Sequence, residues 1–185
     1  MSIYLTKEVI LPLIPALISL IMIVYFLSRK EKSALVYSYV FCQILIFIWS
    51  TGQILERNAP DRYMCWQFVK FEYFGVCFIG ISWLVFSLYY TEDKLANNKK
   101  LFFALFSIPT VLYTLLLTNE YHNYYFITLE EDYKVLGVLF WATVLQVYIF
   151  ILWGTIILIN YSIKQLGYLR KQFLLLVVAA FVPLL

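Results

Sequence analysis

The sequence predicts an all-α fold, a polytopic transmembrane helical bundle, and its composition and hydropathy pattern support this prediction. Hydrophobic residues make up 63% of the 185 residues and charged residues 14%, against about 25% charged residues in soluble globular domains. The apolar residues form runs close to the ~20 residues that a helix needs to cross a bilayer. These runs are apolar at odd and even positions alike, which excludes the alternating pattern of a membrane β-barrel.

The composition also excludes several classes of function. A water-soluble chain of this size has too much surface to bury so much apolar mass. A soluble enzyme, a disordered tail, a secreted disulfide scaffold and a nucleic-acid-binding protein are therefore excluded, and the lipid bilayer is the expected environment. The net charge of +3 is too small to indicate an anionic partner.

Residues 1–185 are expected to form one membrane-embedded domain with five complete spans and a truncated sixth. Only the third span contains ionisable residues, Lys70 and Glu72. The sixth run is short for a span, so we expect the chain to be a fragment of a longer protein or a trimmed domain. The predicted helices cover residues 9–27, 34–55, 63–90, 101–118, 135–161 and 173–185.

The distribution of basic residues predicts that the N-terminus lies outside the cell. Lysine and arginine are enriched in cytoplasmic loops. The connections after the first, third and fifth spans contain nine basic residues, and the opposite side of the predicted bundle contains four. The nine are Arg29, Lys30, Lys32, Lys94, Lys99, Lys100, Lys164, Arg170 and Lys171, and the four are Lys7, Arg57, Arg62 and Lys134.

Lys70 and Glu72 are candidate functional residues, because an ionisable side chain inside a span is energetically unfavourable. At 100° per residue they point to nearly opposite faces of a helix, so they are not expected to pair with each other. Lys70 either contributes to function or extends its ammonium group to the outer interface. Glu72 is too short to reach as far, so it is expected to face protein or water.

A polar and aromatic stripe on the second span matches this region of the third. Trp49, Gln53 and Glu56 fall in its outer half, near Trp66 and Lys70 of the third span. The stripe predicts an outward-opening pocket between the two spans, which would also include Glu72. Hydrogen bonding between helices and an interfacial aromatic belt are the alternative interpretations.

The connection between the fourth and fifth spans is the longest predicted outer loop. All of its residues 124–129 except Leu129 are β-branched or aromatic, which predicts a short hairpin. His122 in this loop is a candidate pH sensor, although a loop histidine is more often simply solvated.

The sequence lacks the residue patterns of catalysis and of metal binding. One histidine and three scattered cysteines give no metal-ligand spacing. No glycine-rich nucleotide-binding motif is present. We therefore expect no catalytic residue, no metal and no cofactor within this chain.

Five segments together resemble a known family. They are residues 49–56 (WSTGQILE), Trp66, residues 70–75 (KFEYFG), residues 83–91 (WLVFSLYYT) and residues 118–122 (TNEYH). In this order they resemble the N-terminal seven-helix sensor region of bacterial and archaeal histidine kinases, which is also found ahead of diguanylate cyclase domains.

The resemblance implies a sensory input domain of a two-component system, in the cell membrane of a bacterium or an archaeon. Such a domain has seven helices and relays a small-molecule or membrane stimulus to a cytoplasmic output domain, in a parent protein expected to be a homodimer. Kinase or cyclase activity would belong to the parent, because this chain contains no phosphoacceptor histidine. The candidate ligand-binding residues are Trp49, Gln53, Glu56, Trp66, Lys70, Glu72, Asn119 and His122.

Three other functions are compatible with parts of the sequence. In a small transporter, Glu72 would be a proton or ion site, but no inverted repeat is detectable. A structural subunit of a membrane complex would use the polar stripe to bind its partner. An opsin-like photoreceptor would need a retinal-binding lysine on a helix beyond this chain.

The charge asymmetry generates a prediction about topology. Reporter enzymes fused after Lys32, Lys100 and Lys171 should be active on the cytoplasmic side, and a reporter fused after Asp132 on the external side, because basic loops stay inside. The reverse pattern would contradict both the topology and the sensory interpretation.

Overall fold

The computed structural model describes residues 7–30, 32–129 and 134–164. In this part of the chain, five helices are long and apolar enough to cross a membrane, which confirms the predicted all-α bundle. The predicted helix 173–185 lies outside the described residues. The long helices are α1 (Lys7–Ser28), α2 (Ala34–Arg57), α3 (Arg62–Tyr90), α4 (Lys99–Leu117) and α6 (Val138–Lys164). The shorter elements are a 3₁₀ turn (Lys94–Asn97), helix α5 (Asn119–His122) and strands β1 (Phe126–Leu129) and β2 (Lys134–Leu136).

Short polar side chains fix the starts of three long helices. The Ser33 hydroxyl accepts a hydrogen bond from the third backbone N–H of α2 at 3.3 Å. Asp61 does the same for α3 at 2.8 Å and Asn98 for α4 at 3.1 Å. Each cap satisfies a backbone donor that the helix itself leaves without a partner.

Helix α3 lies at the centre of the described bundle. In its most apolar stretch 72% of the residues are buried, compared with 39% in α6 and less in the other long helices. It contacts α2, α4 and α6, whereas α1 packs against α2. The outer helices expose large apolar side chains such as Leu11, Phe103 and Leu145, as expected of faces that contact lipid.

Glycines allow the neighbours of α3 to approach its backbone closely. A Cβ atom at Gly75 would lie 2.6 Å from the carbonyl oxygen of Leu45 on α2. On the opposite contact, a Cβ atom at Gly80 would lie 2.8 Å from the carbonyl oxygen of Val147 on α6. Both positions therefore require glycine, as is common where membrane helices pack tightly.

The predicted hairpin is confirmed. Strands β1 and β2 pair antiparallel, with an irregularity between Phe126 and Thr128. The backbone N–H groups of Gly137 and Leu139 donate to the carbonyls of Tyr125 and Tyr124, so the chain enters α6 directly from the hairpin. We call this end of the bundle the hairpin end; it includes the start of α3 and the end of α4, and the charge distribution predicts that it is the outer end.

The tight α2–α3 contact generates a prediction about stability. Gly75→Val should lower the melting temperature of the purified protein in detergent, because the added side chain collides with the α2 backbone; overpacking typically destabilises by about 1–3 kcal/mol. The control is Ala104→Val on the exposed face of α4. An equal effect of the two substitutions would contradict the packing seen here.

Candidate functional site

A carboxylate at the hairpin end binds two side chains of α3. Glu120 Oε1 accepts a hydrogen bond from the indole Nε1–H of Trp66 at 2.5 Å and lies 3.1 Å from Lys70 Nζ. The Lys70 ammonium also lies 5.0 Å from the centre of the Trp66 ring. Trp66 and Lys70 are one helical turn apart on the same face of α3, which is why both reach one carboxylate.

The electrostatics of this group favour the ionised carboxylate. The hydrogen bond from Trp66, followed by the hydrogen bond and positive charge of Lys70, holds the pKa of Glu120 below its usual value. The side chain of Glu120 is 62% exposed, and that of Lys70 is 19% exposed. Lys70 therefore carries its charge from the span to the hairpin end, where an ionised partner lies at the surface.

Asn119, directly before Glu120, fixes the start of the hairpin. Its amide oxygen accepts hydrogen bonds from the backbone N–H groups of Tyr125 at 2.8 Å and Phe126 at 3.1 Å. Its amide nitrogen donates to the carbonyl of Phe126 at 3.0 Å. The Asn119 side chain thus binds the backbone of Phe126 as a neighbouring strand would, and it holds Glu120 beside the hairpin.

Tyr125 and Phe126 insert into the bundle at the hairpin end. Tyr125 is fully buried, and its hydroxyl donates to Thr143 of α6 at 2.8 Å and lies 3.9 Å from the Cys77 sulfur of α3. Burial raises the pKa of Tyr125, which keeps the phenol protonated as a donor. Phe126, 1% exposed, packs edge-on against Trp66 at 6.1 Å between ring centres. The hairpin is therefore bound to α3 and α6 at once.

An open groove of about 780 Å³ lies over this arrangement. The start of α3 forms one wall, and α5 with β1 forms the other. Its volume is within the ~300–1,000 Å³ typical of small-molecule sites. The lining includes Arg62, Tyr63, Trp66, Glu120, Phe126 and Ile127, together with Asn119, Asn123 and Thr128.

His122 is held in the loop by two backbone contacts. Its Nδ1 accepts from the backbone N–H of Tyr124 at 2.9 Å, so Nε2 carries the proton and donates to the carbonyl of Leu115 at 3.0 Å. The ring thereby joins the end of α4 to the hairpin. A role of His122 in ligand binding or pH sensing stays a prediction.

The candidates on α2, and Glu72 on α3, do not line the groove. Glu72 is 6% exposed and packs against Gly52 of α2, where a Cβ atom would lie 2.6 Å from the Glu72 Cα atom. Trp49, Gln53 and Glu56 are half-buried along the same helix. The structure thus brings Trp66, Lys70 and Asn119 together around Glu120. The other four candidates lie along the α2–α3 contact: Trp49, Gln53, Glu56 and Glu72. Their predicted pocket remains a prediction.

No group of three or more metal-ligating side chains forms within the described residues. The cysteines there, Cys42, Cys65 and Cys77, are all buried and form no disulfide.

A family model described as the N-terminal 7TM region of histidine kinase matches residues 11–185. The chain belongs to this family. The resemblance seen in the sequence is thereby confirmed. The five long apolar helices agree with a membrane-embedded region of a sensor histidine kinase. The search of curated proteins and the search of solved structures each found no match.

Membership identifies the chain as a membrane-embedded region that is not itself catalytic in its family. In this histidine kinase 7TM region, the residue that sequence reasoning missed is Glu120. The sequence does contain a signal. Glu120 lies two residues after the predicted fourth span, and Lys70 of the third span has no acidic residue one helical turn away on its own helix. Only the fold shows that these two positions are adjacent.

The Glu120 contacts generate a prediction about pH. The ionised form is favoured, so the contact is complete above the usual carboxyl pKa of 4.5 and is lost as the pH falls through the lowered pKa. The Nε1–H resonance of Trp66 in a ¹⁵N NMR spectrum should therefore move only in that acidic range. Trp66→Phe assigns the resonance among the five tryptophans. In Glu120→Gln the titration should disappear; a midpoint above 4.5 in the unsubstituted protein would contradict the assignment.

Proposed function

We propose that this 7TM region is the sensory input domain of a histidine kinase and relays a stimulus to an output domain that follows it in the parent protein. Family membership supports the kinase context. The observation that carries the proposal is the position of Tyr125, which contacts α3 and α6 and directly precedes Phe126, a residue that lines the groove. A molecule in the groove would contact Phe126 of the hairpin, and the preceding residue, Tyr125, contacts two membrane helices.

The central position of α3 supports a route across the bilayer. Helix α3 contributes Trp66 and Lys70 to the group around Glu120 at the hairpin end, and it also contacts α2, α4 and α6. Packed interfaces of this kind switch between discrete arrangements and do not deform continuously. A stimulus acts if it binds two arrangements of the bundle with different affinities.

The proposal predicts that weakening the hairpin–α6 contact changes signalling. In the full-length parent reconstituted in vesicles, Tyr125→Phe removes the hydrogen bond to Thr143 and should change the rate of autophosphorylation about fivefold, as expected for the ~1 kcal/mol of one hydrogen bond. The matched control is Tyr121→Phe, because Tyr121 is 89% exposed in the same loop.

A second variant removes the same bond from the other side. Thr143→Val keeps the shape of the side chain and should reproduce the effect of Tyr125→Phe. The proposal is overturned if both variants insert and fold normally yet match the unsubstituted parent in basal and stimulated phosphorylation.

A further inference from the structure

The groove wall already holds one ammonium group. Lys70 Nζ lies 3.1 Å from Glu120 Oε1 and 5.0 Å from the centre of the Trp66 ring. A carboxylate beside an aromatic face is a combination that recognises organic ammonium ions. Glu120 and Trp66 both line the groove. The tethered lysine thus shows which chemistry this wall binds.

The Glu120 carboxylate has capacity for a further donor. Both hydrogen bonds that it accepts from α3 end on the same oxygen, Oε1. An ionised carboxylate offers about four lone-pair sites on its two oxygens. With a side chain 62% exposed, Glu120 is accessible to a donor that arrives from the groove.

The remaining lining suits an apolar body attached to that donor. Tyr63 and Ile127 are 69% and 58% exposed, and both line the groove. Phe126 closes its inner side next to Trp66. A small aromatic or branched alkyl group would remove these surfaces from water, a gain of roughly 25 cal/mol per Å².

We propose that the groove binds a small primary amine with an apolar or aromatic body, whose ammonium group donates to Glu120 beside Lys70 and competes with Lys70 for the charge of that carboxylate. A carboxylate ligand is disfavoured, because it would approach the ionised Glu120. The inference rests on the proposed sensory function for its biological meaning, but the binding event needs only this chain.

Competition with Lys70 gives the amine a means of acting on the bundle. Lys70 is only 19% exposed, so a weaker ion pair with Glu120 leaves the charge of its ammonium group less well compensated in its present position. The backbone carbonyl of Lys70 also accepts a hydrogen bond from the Tyr113 hydroxyl of α4 at 3.2 Å. Binding therefore favours any arrangement that moves this turn of α3 relative to α4.

The experiment uses the purified chain in lipid nanodiscs with 2-phenylethylamine as the probe. Binding is measured by calorimetry against empty nanodiscs and followed at the Trp66 Nε1–H resonance. We expect saturable binding of the amine. Its neutral isostere 2-phenylethanol and the anion phenylacetate should bind at least about tenfold more weakly, because each lacks the charge-assisted hydrogen bond.

Two substitutions should act in opposite directions. Glu120→Gln, which keeps an acceptor for Trp66, should weaken amine binding about tenfold. Lys70→Gln removes the competitor and should tighten it about threefold or more, an increase that misfolding cannot produce. Glu92→Gln, an exposed carboxylate at the opposite end of the bundle, is the control and should leave the affinity unchanged.

Equal binding of the amine and its alcohol, preferential binding of the anion, or an affinity that Glu120→Gln leaves unchanged would each overturn the proposal. A parent kinase that responds to another stimulus while the chain binds no amine would overturn the ligand class and leave the sensory function intact. Saturable amine binding without any change in parent phosphorylation would support the ligand class and overturn the sensory function of the groove.

Discussion

The enclosure of α3 is the constraint on which the rest of the structure depends. A helix surrounded by protein cannot direct its polar groups into lipid, so each must find a partner on a neighbouring helix or beyond the end of the span. Lys70 reaches Glu120 at the hairpin end, and Glu72 lies against α2 beside Gly52. The glycines of α2, α3 and α6 bring the backbones of these helices close together, so that a side chain added at these positions would collide with the neighbouring helix.

The connection between α4 and α6 is an integral part of the bundle. Asn119 satisfies the backbone of two successive residues, and these residues insert their side chains between α3 and α6. A surface loop with few buried contacts would move independently of the helices. This one cannot, since displacing it would expose Tyr125 and Phe126 and leave the Thr143 hydroxyl without its donor. The groove and the positions of α3 and α6 are therefore connected through the same few side chains.

The polar residues of the described part of the chain lie in two kinds of environment. Most of the buried polar groups of the described residues bond to the backbone or bridge helices, as Thr155 does by accepting from the Trp83 indole at 3.2 Å. Glu120 differs, because its carboxylate is ionised, exposed and adjacent to an open groove. In the proposed sensory function, binding energy at the groove would shift a helix arrangement without any covalent step.

The sequence by itself determined the number and type of the described spans, the hairpin and the family, because hydropathy runs, β-branched and aromatic residues and short motifs are local features. It also placed Trp66 and Lys70 on one helical face. Only the tertiary structure decided that Glu120 completes this group and that Trp49, Gln53, Glu56 and Glu72 lie at a different contact. Residues 70 and 120 are far apart in the chain, and their proximity follows from how α3, α4 and the hairpin pack, which no local pattern encodes.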